Sequence, residues 1–525
     1  MEPFSVPHYA LPHTAKLFED YVYHFERVAP FYDHDPHDPG AFRRAAAGVQ
    51  FADGRRAALL DAMRQQNGPS SKLDLLAKPG TVAVLTGQQV GLFSGPCYTV
   101  YKALTAAHLA RRLSESGTPA VPVFWLATED HDFVEANHCW VFNAENQPVR
   151  LELPAAAADR RPVGGIPVDG APIDALRAAL GRLPFAEETV EMVTAAYASG
   201  ETFGSAFQRL LARILPDAGL LFFDPMHPAS RLLAAPLLSE AVARAPELTR
   251  LVLERNAALA AAGYHVQVHV EPETSFVFLL EGGLRIALHR DGDEFSGNGR
   301  RLSAAELAAR AEELSPNALL RPVVQDSMFP TVAYVGGPAE LAYLAQSQVL
   351  YRRLLGRAPV AVPRQSATLL DGRTAKIMSR FSLTLPDFFA GEAAVREKIA
   401  QRLIPEGMER TFSEIRAEAG TLTDRVSGTL AAFDPTLERA FAVSRRKILY
   451  QLEKTGRKAA REALRRDARA SAGAAYATGL VFPNEHLQER LYSIVPFLAR
   501  HGPDVIATIS DGLRQDCPDH RVLVV

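Results

Sequence analysis

Between Thr86 and Pro96 the chain reads Thr-Gly-Gln-Gln-Val-Gly-Leu-Phe-Ser-Gly-Pro, with Gly87, Gly91 and Gly95 four residues apart. An apolar, β-branched run precedes it and a helical pattern follows. At such a strand-to-helix turn, glycines let backbone approach a ligand, and free N–H groups with the helix dipole favour an anion. The spacing matches neither the dinucleotide fingerprint nor a Walker loop. The adjacent Gln88 and Gln89 add polar side chains that a purely structural tight turn does not favour. Tyr98 follows on the helix, and Lys102 either leans back toward the loop or faces solvent.

A second polar cluster, Thr128-Glu129-Asp130-His131-Asp132, follows the run Val121–Ala127, with Asn137 and His138 close behind. Acids and a histidine at the carboxyl end of a parallel strand suit three tasks: binding Mg²⁺, orienting an amine, or acting as general base. An acidic helix start with an Asp cap explains the same residues without chemistry.

A third run reads Arg321-Pro322-Val323-Val324-Gln325-Asp326, followed by Pro330–Glu340 with Tyr334, Gly336, Gly337 and Glu340. It repeats the idea of polar groups ending an apolar strand before a Gly-Gly-Pro helix start, and Tyr343 and Gln346 follow. Arg364 and Ser366, in Pro363-Arg364-Gln365-Ser366, and the late Leu487-Gln488-Glu489-Arg490 are shorter polar clusters.

The elements that must position these residues follow from periodicity. Thr81–Thr86, a helix to about Leu113 and Val121–Ala127 form a βαβ unit with a right-handed crossover. A helix over Phe207–Leu215 leads to a further buried strand at Gly219–Pro225. Residues 145–200 read as loops with a helix. From His265 to Phe295 the period becomes two, which predicts an antiparallel β insertion beginning with a strand at His265–Val270. Apolar residues at 3–4 spacing from Phe412 to Phe433, and again from Leu437 to Ala459, predict two helices of an antiparallel coiled coil. Asp434 and Pro435 stand between them in cap and first-turn order. The basic residues of the second helix, from Arg445 to Arg466, read as a solvated face, with a strip for RNA or nucleotide phosphate as the alternative. The Asp33–Gly40 stretch, rich in His and Asp, reads as a turn.

The expected fold class is α/β. It has a Rossmann-like core of residues 1–389 with 471–525, a β-rich insertion at about 145–320, and a helical arm at 390–470. A chain of 525 residues with net charge −3 and 47% apolar residues can bury a large core, and carries no general field for nucleic acid or an acidic membrane. Three scattered cysteines exclude a disulfide framework or CxxC metal site. No signal peptide or spanning segment is evident, so the expected compartment is the cytoplasm. No resident metal site is expected.

Several of these stretches resemble one family. TGQQVGLFSGPCYTVYKALTA at Thr86–Ala106, TEDHDFVEANH at Thr128–His138, RPVVQD at Arg321–Asp326, AYVGGPAELAYLAQ at Ala333–Gln346, PRQSAT at Pro363–Thr368 and LQER at Leu487–Arg490 are similar to the cysteine-adding enzymes of bacillithiol synthesis. The matches run in order over most of the chain, while 145–300 offers little. The resemblance implies a nucleotidyltransferase-like Rossmann core and a coiled coil that makes a homodimer. The implied reaction joins the carboxyl group of cysteine to the amine of glucosaminyl malate. Amide formation from a free carboxylate makes ATP or another nucleotide with Mg²⁺ a chemically reasonable cofactor. Asp130, His131, Asp132 and Lys102 are then the expected catalytic groups, with the loop and the later clusters binding substrate or nucleotide. One departure is plain: no HxGH pair is present, and Lys376–Arg380 matches a KMSKS loop only loosely and reads as helix. A different nucleotide-dependent ligase or transferase, and a coiled-coil scaffold with a vestigial site, remain as alternatives.

Overall fold

The computed structural model describes residues 2–154, 160–513 and 517–525. At its centre lies a parallel sheet made of β2 (Val82–Gln88), β3 (Ala120–Leu126), β6 (Leu221–Phe223), β12 (Thr331–Gly336) and β13 (Val360–Pro363), in the order β13-β12-β2-β3-β6. The chain steps outward from β2 to β3 and β6, then returns to the other side of β2 as β12 and β13. This is the Rossmann-like arrangement, and its switch point falls between β2 and β12. The strands are near-continuous apolar runs because both faces are covered. Trp125, Phe223 and Tyr334 pack on one side. Phe124, Leu126 and Phe222 pack on the other, against Val100, Tyr101 and Leu104 of the helix Tyr98–Glu115.

β2 extends past the expected Thr86, because Gly87 and Gln88 pair with Trp125 and Leu126 of β3. Gly87 is required there by packing, since a Cβ would sit 2.9 Å from the Trp125 carbonyl oxygen.

A second, antiparallel sheet comes from the insertion: β7 (Thr274–Glu281), β8 (Leu284–Asp291), β9 (Glu294–Gly297), β10 (Arg300–Ser303) and β11 (Leu314–Pro316), in the order β10-β9-β8-β7-β11. Gly282 and Gly283, both at positive φ, close the β7–β8 hairpin. The strand expected at His265–Val270 is not formed. That segment runs unpaired with any strand, and Gln346 takes both the N–H and the carbonyl of Val268, each at 2.9 Å. A side-chain clamp thus replaces the ladder that alternation suggested. A hairpin, β4 (His138–Phe142) with β5 (Pro148–Glu152), follows the acidic loop. In a third sheet, β15 (His520–Val524) lies between β1 (Phe4–Val6) and β14 (Ala367–Leu370).

Arg321–Asp326 belongs to a helix, Arg321–Met328, rather than to the end of a strand. Pro322 sits in the first turn, where its missing N–H costs nothing, and Asn317 accepts from the N–H groups of Leu319 and Leu320 just before it. Lys376–Arg380 lies within the helix Gly372–Phe381. The arm consists of the helices Glu406–Phe433 and Pro435–Arg466, packed against each other and broken where expected. Asp434 accepts from the Thr436 N–H at 2.7 Å, and Pro435 opens the second helix. Among the described residues, no helix is long and apolar enough to cross a membrane.

Candidate active site

The carboxyl ends of β2, β3, β12 and β13 open on one cavity of about 550 Å³. Gly87, Gln88 and Gln89 line it from the end of β2, and Glu129 and Asp130 from the loop after β3. Tyr334 and Gly337 line it from β12 and the turn beyond. Glu340 and Tyr343 come from the helix Pro338–Leu354, and Arg364 from just past β13. Tyr98 and Lys102 approach from the helix after β2. The β insertion closes one side with Phe278, Arg285, Pro316 and Asn317. The polar clusters read from sequence therefore converge on the sheet's switch point, where open α/β folds bind ligands.

Charge pairing divides the lining. The buried Lys102 ammonium donates to Glu340 Oε2 at 2.5 Å, to the Gly87 carbonyl at 2.8 Å and to Gln88 Oε1 at 3.0 Å. Burial pulls this lysine below its ordinary range, against the opposing carboxylate of Glu340. Burial alone would raise Glu340, but Lys102, the Gly337 N–H and the Tyr334 hydroxyl outweigh it and hold its carboxyl low. Arg364 forms a two-pronged pair with Glu489, at 2.7 and 3.0 Å, and lies over the Tyr98 ring. Glu129 is buried against Arg231 at 3.4 Å. Asp130 lies 3.8 Å from Arg285 and accepts from Gln89 Nε2 at 3.1 Å.

Arg321 and Arg490 differ. Among the described residues neither has a carboxylate within ion-pair distance. Arg321 donates to the Tyr343 and Tyr334 hydroxyls at 2.8 and 3.2 Å and to Gln325 Oε1 at 3.1 Å. Arg490 is exposed at the mouth. With five cationic side chains facing three carboxylates, the cavity is built for an anion.

Other residues singled out in the sequence lie outside this lining. The glycine loop leaves the cavity after Gln89: Val90, Leu92 and Phe93 are fully buried. The Phe93 N–H donates to the Tyr197 hydroxyl, and the Cys97 N–H to the Tyr492 carbonyl, both at 2.7 Å. The backbone cradle expected around Gly91 and Gly95 is thus taken up by the protein itself. Thr86 bonds the Val335 carbonyl, and Gly336 accepts from the Arg364 N–H. Asp132 caps the short helix Phe133–Ala136, and Asn137 holds Leu153 beside the β4–β5 hairpin. His138 bonds the Val134 carbonyl. Gln325 and Asp326 form a buried network with Tyr351, Gln346 clamps Val268, and Ser366 bonds Glu489 and His520. His131 stands at the rim, beside Asp130, Arg285 and Phe278.

Sequence reasoning missed Arg285, Arg321 and Arg490 as site residues. Arg321 and Arg490 stood inside motifs already singled out, whereas nothing local marks Arg285 on its strand.

A nucleotide with Mg²⁺ fits this donor set in part. Arg321 and Arg490 suit phosphate or carboxylate. Every carboxylate lining the cavity already has a protein cation within 4 Å, and no cluster of three His, Cys, Asp or Glu among the described residues is arranged for a metal.

Comparison with known proteins agrees with this layout. Residues 4–365 match the family described as bacillithiol biosynthesis BshC, N-terminal Rossmann-like domain, and residues 367–525 match its C-terminal coiled-coil domain. A protein of Solibacter usitatus named "Putative cysteine ligase BshC" is 54% identical over 515 residues, covering 98% of each chain. Proteins of the same name from Koribacter versatilis and Salinibacter ruber are 35% and 31% identical, over 100% and 99% of this chain and 100% and 98% of their own. The switch-point cavity, the insertion that closes it and the helical arm are therefore those of a member of the BshC family of bacillithiol biosynthesis, to which this chain belongs.

Proposed function

We propose that the chain is a cysteine ligase that joins the carboxyl group of cysteine to the amine of glucosaminyl malate. The observation that carries this reading is the pair Arg321 and Arg490, cations with no carboxylate partner among the described residues, in a cavity that also holds Asp130. The malyl carboxylates of the acceptor would bind the two arginines, with Tyr343 and Tyr334 orienting Arg321. Asp130 would receive the proton that the amine nitrogen loses as the C–N bond forms. Lys102, already paired with Glu340, would fix the floor formed by Gly87 and Gln88. A nucleoside triphosphate, when bound, would supply the energy by converting the carboxylate oxygen into a leaving group. Any Mg²⁺ would arrive with its phosphates, since the lining carboxylates are engaged. The arm would join two copies through its exposed apolar stripe.

Two measurements test this reading. Deleting the gene should abolish bacillithiol and accumulate glucosaminyl malate, reversed by the parent gene but not by a His131→Ala copy. With purified protein, Arg321→Met should raise KM for glucosaminyl malate roughly 10- to 100-fold, the loss of one charged hydrogen-bonding partner. Unchanged bacillithiol in the deletion strain would overturn the assignment, and an unchanged KM would remove Arg321 from acceptor binding.

A further inference from the structure

His131 has the residue type expected of a general base, yet its surroundings set a different role. Arg285 reaches it from β8 of the insertion, and Nη1 lies 3.1 Å from His131 Nδ1 in hydrogen-bonding geometry. The rest of that guanidinium is fixed. Nε donates to Ser315 Oγ at 3.0 Å, Nη2 to the Pro316 carbonyl at 2.8 Å, and the guanidinium carbon lies 3.9 Å from the Phe278 ring centre. The side chain is 9% exposed.

A guanidinium has five N–H donors, no acceptor, and does not lose its proton in proteins. The lone pair in this contact must therefore belong to Nδ1. A neutral imidazole whose Nδ1 accepts carries its proton on Nε2. A protonated ring would aim an N–H at another N–H.

The competing contact is Asp130 Oδ1, 3.8 Å from the same Nδ1 and too far for a hydrogen bond. That carboxylate oxygen instead accepts from the His131 and Asp132 N–H groups, at 2.7 and 3.3 Å. The charged groups facing the ring are Asp130 and Asp132 from its own loop, Arg285 from β8, and Arg160. Burial and then Arg285 keep the imidazole below its ordinary range, against the two aspartates, in keeping with a neutral ring.

We propose that Arg285 is a positioning residue that holds His131 neutral with its proton on Nε2, so that His131 serves the cavity as a hydrogen-bond donor and not as a base. This rests on reading the cavity as the reaction site. The recipient would be an oxygen that gains negative charge as the amine attacks, where a neutral donor needs no proton transfer. Proton removal then falls to Asp130.

The tautomer can be read without any ligand. Full-length protein labelled with ¹⁵N-histidine would be studied by long-range ¹H–¹⁵N correlation at neutral pH, with His131 assigned by its loss in His131→Asn. An unprotonated Nδ1 and a protonated Nε2 are expected, and Arg285→Met should turn this into an exchange average of the two tautomers. A protonated Nδ1 in the parent, alone or together with Nε2, would overturn the proposal. Turnover separates the roles further. His131→Gln keeps an N–H donor but no base, and should stay within about 10-fold of the parent, while His131→Ala should lose about 100-fold or more, the cost of one oxyanion donor. Equal losses in both variants would show that His131 is not acting as a donor. Inactive parent protein would count against the proposed reaction, while the spectrum would still decide the tautomer.

Discussion

Lys102 shows how one residue ties the site to its scaffold. An ammonium in a protein interior carries a large desolvation cost, offset only when each of its three donors finds an acceptor. Here the three acceptors are Glu340, the Gly87 carbonyl and Gln88 Oε1. The pair joins the helix after β2 to the helix after β12, across the switch point. Lys102→Met leaves the Glu340 carboxylate buried and short of a partner, and should destabilise the protein by about 3–5 kcal/mol. Lys102→Met with Glu340→Gln should cost clearly less than the two single changes added together. Urea unfolding of the four proteins measures this coupling, and simple additivity would show that the pair is not an interacting unit. The sequence reaches part of this: helical side chains point back toward the N-terminus, which makes a lean of Lys102 toward the loop one of its two readings, beside a solvent-facing one. Its partnership with Glu340, 238 residues later, depends on which strands become neighbours, and no local pattern carries that.

At the scale of elements, a buried polar hub joins segments distant in sequence. The Glu489 carboxylate accepts from Arg364, from the Ser366 hydroxyl and from the Ala367 N–H at the start of β14. His520, on β15, bonds Ser366 at 2.6 Å and Thr368 at 2.8 Å. Burial first, with Arg364 and His8 adding to it against Glu489, pulls this imidazole from its ordinary 6.5 down to about 4. In the folded chain the ring stays neutral until pH nears 4, whereas the unfolded chain takes up the proton below 6.5. The contribution of His520 is therefore present above pH 6.5 and is lost as pH falls from 6.5 through 4, the loss amounting to about 2 kcal/mol at pH 5. Urea unfolding at pH 7.5 and pH 5 should show this loss in the parent and a smaller one in His520→Gln. Equal losses would remove His520 as the acid-sensitive group. The sequence marks Arg364, Ser366 and Glu489 as separate polar clusters but not their meeting, and His520 is an ordinary polar residue until β14 and β15 pair. Elements with a strong period were legible: β2, the helix after it, β3, and both arm helices with their break at Asp434. His265–Val270 misled because alternation also fits an extended segment clamped by a side chain. Arg321–Asp326 misled because a short apolar run with an early proline suits a strand end and a first helical turn alike. The convergence of the clusters after β2, β3, β12 and β13 was readable because each sat at the end of a strand, and parallel sheets gather those ends on one edge.

For the whole molecule, the arm poses a question of partners. Its two helices, of 28 and 32 residues, pack on each other, yet Leu422 is 58% exposed, Phe433 82% and Leu437 43%, with Val426 and Ile448 similar. Scattered apolar residues on a surface need no explanation, but these follow the heptad-like stripe that faces inward in a coiled coil. A two-helix hairpin is too thin to bury both flanks of such a stripe. A second copy of the same hairpin, related by a twofold axis, would cover each flank with the other, as an isologous interface requires. The basic residues of the second helix do not oppose this, because Arg445 and Arg457 are paired with Asp424 and Glu453 within the arm. The full-length protein should therefore sediment as a dimer at micromolar concentration, and Leu422→Glu with Val426→Glu should make it a monomer of unchanged helical content. No residue of the two arm helices lines the cavity, so the monomeric variant should keep kcat/KM within a few-fold of the parent. A parent protein that sediments as a monomer would leave the stripe to another partner, whereas a monomeric variant without turnover would mean that the arm's pairing supports the core at a distance.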